Sequence, residues 1–590
     1  MKYSDYLAKD LKQKGYTHCM FVAGGNIMHL LDSSRSHFKM IPFVHEVGAA
    51  IACEYFNEFN SRNNVKDRAF VLVTAGPGIT NAITGVAGSF LESRELLVIG
   101  GQVKKDDLKK NQQRQNGIQE IDGVSICKKI TKNSTRILNP IMGSHLDNLI
   151  NESCSERKGP VFLEIPLDVQ AKKIRIESSY KKTVNSNFQS NLHLHKNKLK
   201  KITENSKRPI LLLGSGVNTS QIKRFKSLSK SLNIPIQTTW NGIMNISSEN
   251  NLFFGRPNTW GQRYANIIIQ QADLIIAVGT SLGMQQTGFN HKSFGKKAKI
   301  VHVNIDKIEL DRNHPKKNIR VLEDGNKFLS FFLTSIKKNP YWSDWVSYCW
   351  DIKKNFPLLE KNKTGKKFVS PFYFVNQLSK ALDKNDVFIP CSSGGAFTSS
   401  MQAFDQKEGQ TIITNKGLAS MGYGLSGAIG CSLANKNKRV ILVEGDGGFT
   451  QNLQELGTVK INKLNLKIVI FHDNGYASIR MTQKSYFGGE YIGCDESSGL
   501  GMPDFKLLAQ AYGLNYEKIS KSDVKDIFKL KKILDKKGSS IIVVPIDPEQ
   551  TYFPKITSRI TKNGSMESNP IHIMTPEVND LSYNRFFKYI

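Results

Sequence analysis

Apolar residues gather in short runs along this chain, at residues 70–73, 96–99, 161–165, 210–213, 274–278, 440–443, 468–471 and 541–544. Apart from Glu164, hydrophobicity within the runs is continuous, the pattern of strands covered on both faces. Many runs lead into Gly or Pro, and longer amphipathic stretches separate them. This alternation predicts an α/β fold of doubly wound parallel sheets. Two polar, Lys- and Asn-rich stretches, near residues 177–207 and 337–367, break the rhythm. They divide the chain into an expected N-terminal domain (1–176), a central domain (195–335) and a C-terminal domain (365–549). Residues 550–590 lack the rhythm and are expected to form either an arm over the active site or a loose tail. There is no repeat of solenoid period, although two similar blocks flanking a third are compatible with duplication.

A length of 590 residues fits three large domains, at about 150 residues or more each. With 39 % hydrophobic and 23 % charged residues, a disordered or fibrous chain is excluded. Lys and Arg exceed Asp and Glu by 82 to 51, and the net charge of +31 favours anionic partners: phosphates, nucleic acid or a membrane surface. The eight cysteines lie far apart, without a Cys-x-x-Cys pair or a His at zinc spacing, which reads as buried free thiols in a reducing compartment. Charges are scattered through the first sixteen residues, and no apolar run is long enough to span a bilayer. A soluble, cytoplasmic protein is expected.

The strongest chemical signal is RVILVEGDGGF, residues 439–449, where a buried strand runs into Gly445, Asp446, Gly447 and Gly448. Glycines there let backbone N–H groups close on a phosphate, and a carboxylate at a strand end can hold a divalent cation. Such a segment alone is an ordinary glycine turn about as often as a ligand site. The next strand, in KIVIFHDNGY, delivers Asp473 and Asn474 27 and 28 residues after Asp446, which fits strand, crossover helix, strand. Oxygen-ligated magnesium holding a diphosphate follows. There is no Walker A motif, and GPGITN and GSGVNT each lack the last glycine of a dinucleotide fingerprint. Three further segments stand out. In IPFVHEVGAA, Glu46 precedes small residues; an acid among apolar neighbours holds its proton more tightly, although a helix-dipole carboxylate is the plainer reading of this segment alone. TAGPGITNAITG follows the strand at 70–73. KGLASMGYGLSGAIG surrounds Met421 with small residues, where Met is more often core packing than a cofactor contact.

In this order, the four segments resemble thiamine-diphosphate-dependent enzymes of the acetolactate synthase and 2-oxo acid decarboxylase superfamily, closest to members of surface-polysaccharide pathways. The likeness runs from VAGGNIM through GPVFLEIP and ADLIIAVGTSLG to the metal motif. It implies a pyrimidine-binding, a central and a diphosphate-binding domain, with thiamine diphosphate and Mg2+ as cofactors. By motif, Glu46 resembles the glutamate that contacts the aminopyrimidine, and Gln119 a glutamine near the reacting centre. Gly24 with Gly25 match the pocket floor. Met421 matches the residue that bends the cofactor, and the Ala419 carbonyl faces its exocyclic amine. Gly394, Gly395 and Ala396 match the diphosphate loop, with Gly445, Gly447, Gly448 and Tyr476 also in the cofactor site. Asp446, Asp473 and the Gly475 carbonyl match the metal ligands, Asp473 standing where the family has Asn, with Asn474 as the alternative. In that family the glutamate shares a proton with the pyrimidine and the cofactor is the electron sink for decarboxylation.

The chain also departs from acetolactate synthases. Ser478 and Thr482 stand where a Met and a Trp line the acceptor pocket, which predicts a wider, more polar pocket. TSLGMQQTG, residues 280–288, lacks the arginines of the family's FAD site, so FAD is a weak expectation. The reading is a carboligase that decarboxylates a 2-oxo acid, pyruvate first, and passes two carbons to a carbonyl acceptor such as a keto-sugar nucleotide. The alternatives are a decarboxylase releasing an aldehyde and, from another class, a basic nucleic-acid-binding protein or an inactive scaffold. Partners are expected to be these small molecules, with no nucleic acid and no membrane. The resemblance implies a homodimer or homotetramer with sites at the subunit interface.

Overall fold

The computed structural model describes residues 1–111, 113–175, 188–560 and 563–590. Its described strands form three fully parallel sheets of six, five and six strands and two antiparallel pairs. The first sheet contains β1 (Tyr16–Phe21), β2 (Lys39–Pro42), β3 (Arg68–Val73), β4 (Leu96–Gln102), β5 (Asn133–Arg136) and β6 (Pro160–Pro166), in the order β2-β1-β3-β4-β6-β5. The central sheet contains β7 (Pro209–Leu213), β8 (Ile236–Thr238), β9 (Leu274–Val278), β10 (Lys299–Asn304) and β11 (Ile319–Leu322), ordered β11-β10-β9-β7-β8. The third contains β12 (Val387–Ile389), β13 (Thr411–Ile412), β14 (Val440–Gly445), β15 (Leu466–His472), β16 (Asn515–Lys518) and β17 (Ser540–Pro545), ordered β13-β12-β14-β15-β17-β16. The first and third sheets therefore share one winding order. In each sheet the order reverses once, beside its first strand, and the loops leaving there diverge to open a crevice at the carboxyl edge.

The continuous apolar runs become the buried central strands: β3, β4, β9, β14 and β15 are nearly all below one-tenth exposure along their length. One apolar core joins the first and third sheets through the helices Glu46–Arg62 and Tyr423–Ala434, while the central sheet has its own. The polar stretch at 177–207 lies partly outside the described residues; its later part forms the helix Leu192–Glu204. The stretch at 337–367 carries the helix Tyr341–Asn355, whose Trp342, Trp345, Cys349 and Ile352 are buried at helical spacing beneath a polar exterior. Trp342 and Trp345 donate to the carbonyls of Ser206 and Pro209 at the start of the central sheet.

The last segment is neither structureless nor loose. Tyr552 is buried against the third sheet, and the chain then crosses to the central one. There Ile571, Phe586 and Phe587 join an apolar cluster, and Asn266 and Gln271 donate to the carbonyls of Ile571 and Phe586. Its elements are two- and three-residue strands and one seven-residue helix, Asp580–Phe586, too short to show a period in sequence.

Candidate active site

The carboxyl edge of the third sheet collects most candidates. From β12 the chain passes Cys391 and Ser392 into the helix Gly394–Ala403. Gly394 has φ +79°, and a methyl group built there would meet nothing within 4 Å, so this glycine faces open space. Gly395 packs under the Tyr552 ring, and Ala396 is buried. The Ser392 hydroxyl bonds the Ser420 carbonyl, tying this loop to the one carrying Ala419 and Met421. Ala419 is left-handed, at φ +55°. Met421 is 40 % exposed and touches Gln451 through its sulfur, so it is not core packing.

From β14 the chain reaches Gly445, which also faces open space, and then Asp446, fully buried. The Asp446 carboxylate accepts from the backbone N–H of Gly447 at 2.7 Å, Asn474 at 2.8 Å and Asp473 at 3.1 Å, and pairs with His472 Nδ1 at 2.8 Å. β15 thus delivers the next loop directly onto it. Asp473 is buried beside Asp446, and Arg480 Nη2 donates to its Oδ1 at 2.6 Å. Burial first, and then the Asp446 charge, push the Asp473 carboxyl up to about 8, against the pull of Arg480. Asn474 is exposed and left-handed, φ +60°, with its side chain turned from this cluster's hydrogen bonds. Gly475 has φ +144° and sits where a methyl group would come within 2.0 Å of the Cys494 carbonyl oxygen, so no other residue fits. Its own carbonyl approaches Gly447, which lies beneath the Tyr476 ring; Gly448 is next to Glu444. Among the described residues no three His, Cys, Asp or Glu side chains converge as metal ligands. An oxygen-seeking cation here would combine two carboxylates with a carbonyl and the oxygens of a bound anion.

The second group lies at the carboxyl edge of the first sheet. Glu46, after β2, is the first residue of the helix Glu46–Arg62 and is buried, and Asn81 donates to its Oε2 at 3.0 Å. The turn before it is held by Glu455, which accepts from the N–H groups of Val44 and His45. Gly24, after β1, packs on Thr74 at the end of β3, and Gly25 is open. Gln119 is exposed at φ +62°, its carbonyl pressed against Gly76. Among the described residues no hydrogen bond joins Glu46, Gln119, Gly24 or Gly25 to the Asp446 group. Sequence reasoning missed Asn81, His472 and Arg480. Asn81 lay inside a motif already singled out, and His472 and Arg480 flank Asp473, but nothing in their spacing marked them.

The glycines of KGLASMGYGLSGAIG have a second use. A methyl group at Gly430 would come within 2.1 Å of the Ala52 carbonyl oxygen, and one at Gly427 within 2.6 Å of Tyr55, so the helix Tyr423–Ala434 lies almost backbone-to-backbone on Glu46–Arg62. Across the same contact, buried Glu54 pairs with Arg94 at 2.8 Å and accepts from Tyr423 and Asn415. In GSGVNT, Gly214 and Gly216 are crowded by Gly279 after β9, and Arg62 donates to the carbonyls of Ser215 and Val217. A cavity of about 820 Å³ opens between these loops and the first and third domains; basic Arg62, Arg157, Arg312 and Lys416 face acidic Glu58, Glu92, Glu156 and Glu309 around it.

Three family models match in order: "Thiamine pyrophosphate enzyme, N-terminal TPP binding domain" over residues 1–126, "central domain" over 197–331 and "C-terminal TPP binding domain" over 393–544. The chain is 26 % identical over 574 residues to the acetolactate synthase isozyme 2 large subunit of Escherichia coli (strain K12), covering 96 % of this chain and 100 % of that one. It is 28 % identical over 550 residues to the acetolactate synthase large subunit of Porphyra purpurea, covering 89 % of each. With that of Lactococcus lactis subsp. lactis (strain IL1403) it shares 27 % over 563 residues, 94 % of each.

Proposed function

Because the chain belongs to the thiamine-pyrophosphate-dependent enzymes of the acetolactate synthase superfamily, we propose that it is a carboligase that decarboxylates pyruvate and transfers the two-carbon unit to a bulkier carbonyl acceptor, a nucleotide-linked keto-sugar. Thiamine diphosphate, when bound, supplies the nucleophilic carbon and the electron sink. The described residues suit it: Gly394 and Gly445 leave a cradle that side chains would fill, beside two buried carboxylates. Asp446, Asp473 and the Gly475 carbonyl would hold Mg2+, and the start of the helix Gly394–Ala403 would take the diphosphate. Glu46, oriented by Asn81, would hold a proton against the pyrimidine, while Met421 and the Ala419 carbonyl would brace the cofactor. Gln119, Gly24 and Gly25 would border the reacting centre. We assign no FAD to the central cavity, where an anionic dinucleotide would meet both signs of charge.

The acceptor assignment rests on one observation. In the helix Ala477–Tyr486, which follows the Asp473 loop, Thr482 is exposed and its hydroxyl is turned back onto the Ser478 carbonyl at 2.9 Å, leaving a small, polar face. Since no hydrogen bond within one chain joins the two groups of site residues, we also propose that each site is completed by a second copy; the relatives' names, "large subunit", are in keeping with assembly.

The test is NMR analysis of products from pyruvate with thiamine diphosphate and Mg2+, with and without a nucleotide-linked keto-sugar, beside Glu46→Gln. A lengthened sugar, lost in the control, supports the proposal. Acetolactate regardless of added sugar makes the protein an acetolactate synthase, acetaldehyde alone makes it a decarboxylase, and failure to bind the cofactor overturns the site.

A further inference from the structure

Arg480 is only 3 % exposed, and its guanidinium is committed to one loop. Nη2 donates to Asp473 Oδ1 at 2.6 Å and to the Asp473 carbonyl at 2.9 Å, and Nη1 to the Asn474 carbonyl at 3.2 Å. The third side of the fork has no such match: its Nε–H is buried without a hydrogen-bond partner. The side chain is held by the Asp473–Asn474 loop alone. A methyl group on Gly475 would come within 3.0 Å of Nη1, so the same guanidinium also bounds the residue whose carbonyl faces Gly447.

The electrostatics of the pocket give this contact a purpose. Asp446 and Asp473 are adjacent and buried, and the proposed ligand is itself an anion. Two uncompensated carboxylates in a low-dielectric pocket repel each other and repel a diphosphate. We infer that Arg480 is a positioning residue for the metal site: it cancels the charge of Asp473, so that the Asp473–Arg480 pair acts as one neutral oxygen ligand. It also pins Oδ1, and no hydrogen bond among the described residues ends on Oδ2, which is left for the cation. This rests on the placement of Mg2+ and diphosphate proposed above.

The inference predicts a rescue. Full-length wild type, Arg480→Met, Arg480→Lys and the double variant Asp473→Asn/Arg480→Met are titrated with thiamine diphosphate at fixed Mg2+ by calorimetry, with apo melting curves as a check on folding. Arg480→Met raises Kd on the order of tenfold or more, because it leaves a buried acid unpaired. Arg480→Lys recovers part of the loss. The double variant, with the wild-type net charge, returns to within about threefold of wild type, a rescue that a merely structural arginine would not permit. Wild-type affinity in Arg480→Met, or a double variant as weak as the single one, overturns the inference. If Arg480→Met does not fold, the double variant decides alone: near-wild-type binding is expected, and weak binding overturns it. Failure of the wild type itself to bind would instead overturn the site proposed above.

Discussion

Glu46 shows how a helix-start carboxylate and a chemical group occupy one position. It stands in the first turn, where the helix dipole favours an anion, yet it is buried and oriented by Asn81, which a solvated helix-start acid does not need. The two roles separate by mutation. Glu46→Gln keeps the shape and the Asn81 neighbour; the expected result is a thermal melt close to wild type and a rate lower by about 10²–10⁴, measured in the product assay. Met421 is the complementary case. Being 40 % exposed, it contributes little packing, so Met421→Ala should change unfolding free energy by no more than about 0.5 kcal/mol while weakening cofactor binding by calorimetry. A large stability loss with unchanged binding would return Met421 to the core.

Between elements, the contact of Glu46–Arg62 with Tyr423–Ala434 sets where the first domain sits on the third. Gly430→Ala pushes a methyl group into the Ala52 carbonyl and should destabilise by about 1–3 kcal/mol in urea unfolding. Glu58 on the first of these helices adds a pH term. Burial alone would raise its carboxyl, but Arg62, Arg94 and Lys158 bring it down to about 2. A depressed carboxyl stabilises the fold above its unfolded value, near 4.5, and that contribution disappears as pH falls towards 2. Glu58→Gln should therefore cost about 2–3 kcal/mol at pH 7, and the gap to wild type should close as urea melts are taken from pH 4.5 downwards.

At the scale of the molecule, the C-terminal segment acts as a clamp on the central domain. Ile571 is fully buried there, so Ile571→Ala should lower stability by about 2–5 kcal/mol, whereas a loose tail would tolerate it. Completion of the site by a second copy has its own test. Glu46→Gln and Asp446→Asn chains, each inactive alone, should regain activity when co-expressed, since one site of a mixed dimer then holds both native residues. Sites built within one chain would stay inactive. Among the described residues no helix is long and apolar enough to cross a membrane, and the match to three enzyme-domain models removes the inactive-scaffold reading.

Local order sufficed for much of this protein. Buried parallel strands announce themselves as continuous apolar runs, and a glycine-flanked acid at a strand end, followed at crossover distance by a second acid, marks Asp446 and Asp473 without any structure. The winding order, the identical topology of the first and third sheets and the docking of residues 570–590 were decided only by tertiary structure, because they depend on which distant surfaces bury each other. The same holds for Arg480 and Asn81. A guanidinium or an amide carries no signature in sequence until folding brings it within hydrogen-bond reach of the one carboxylate it serves.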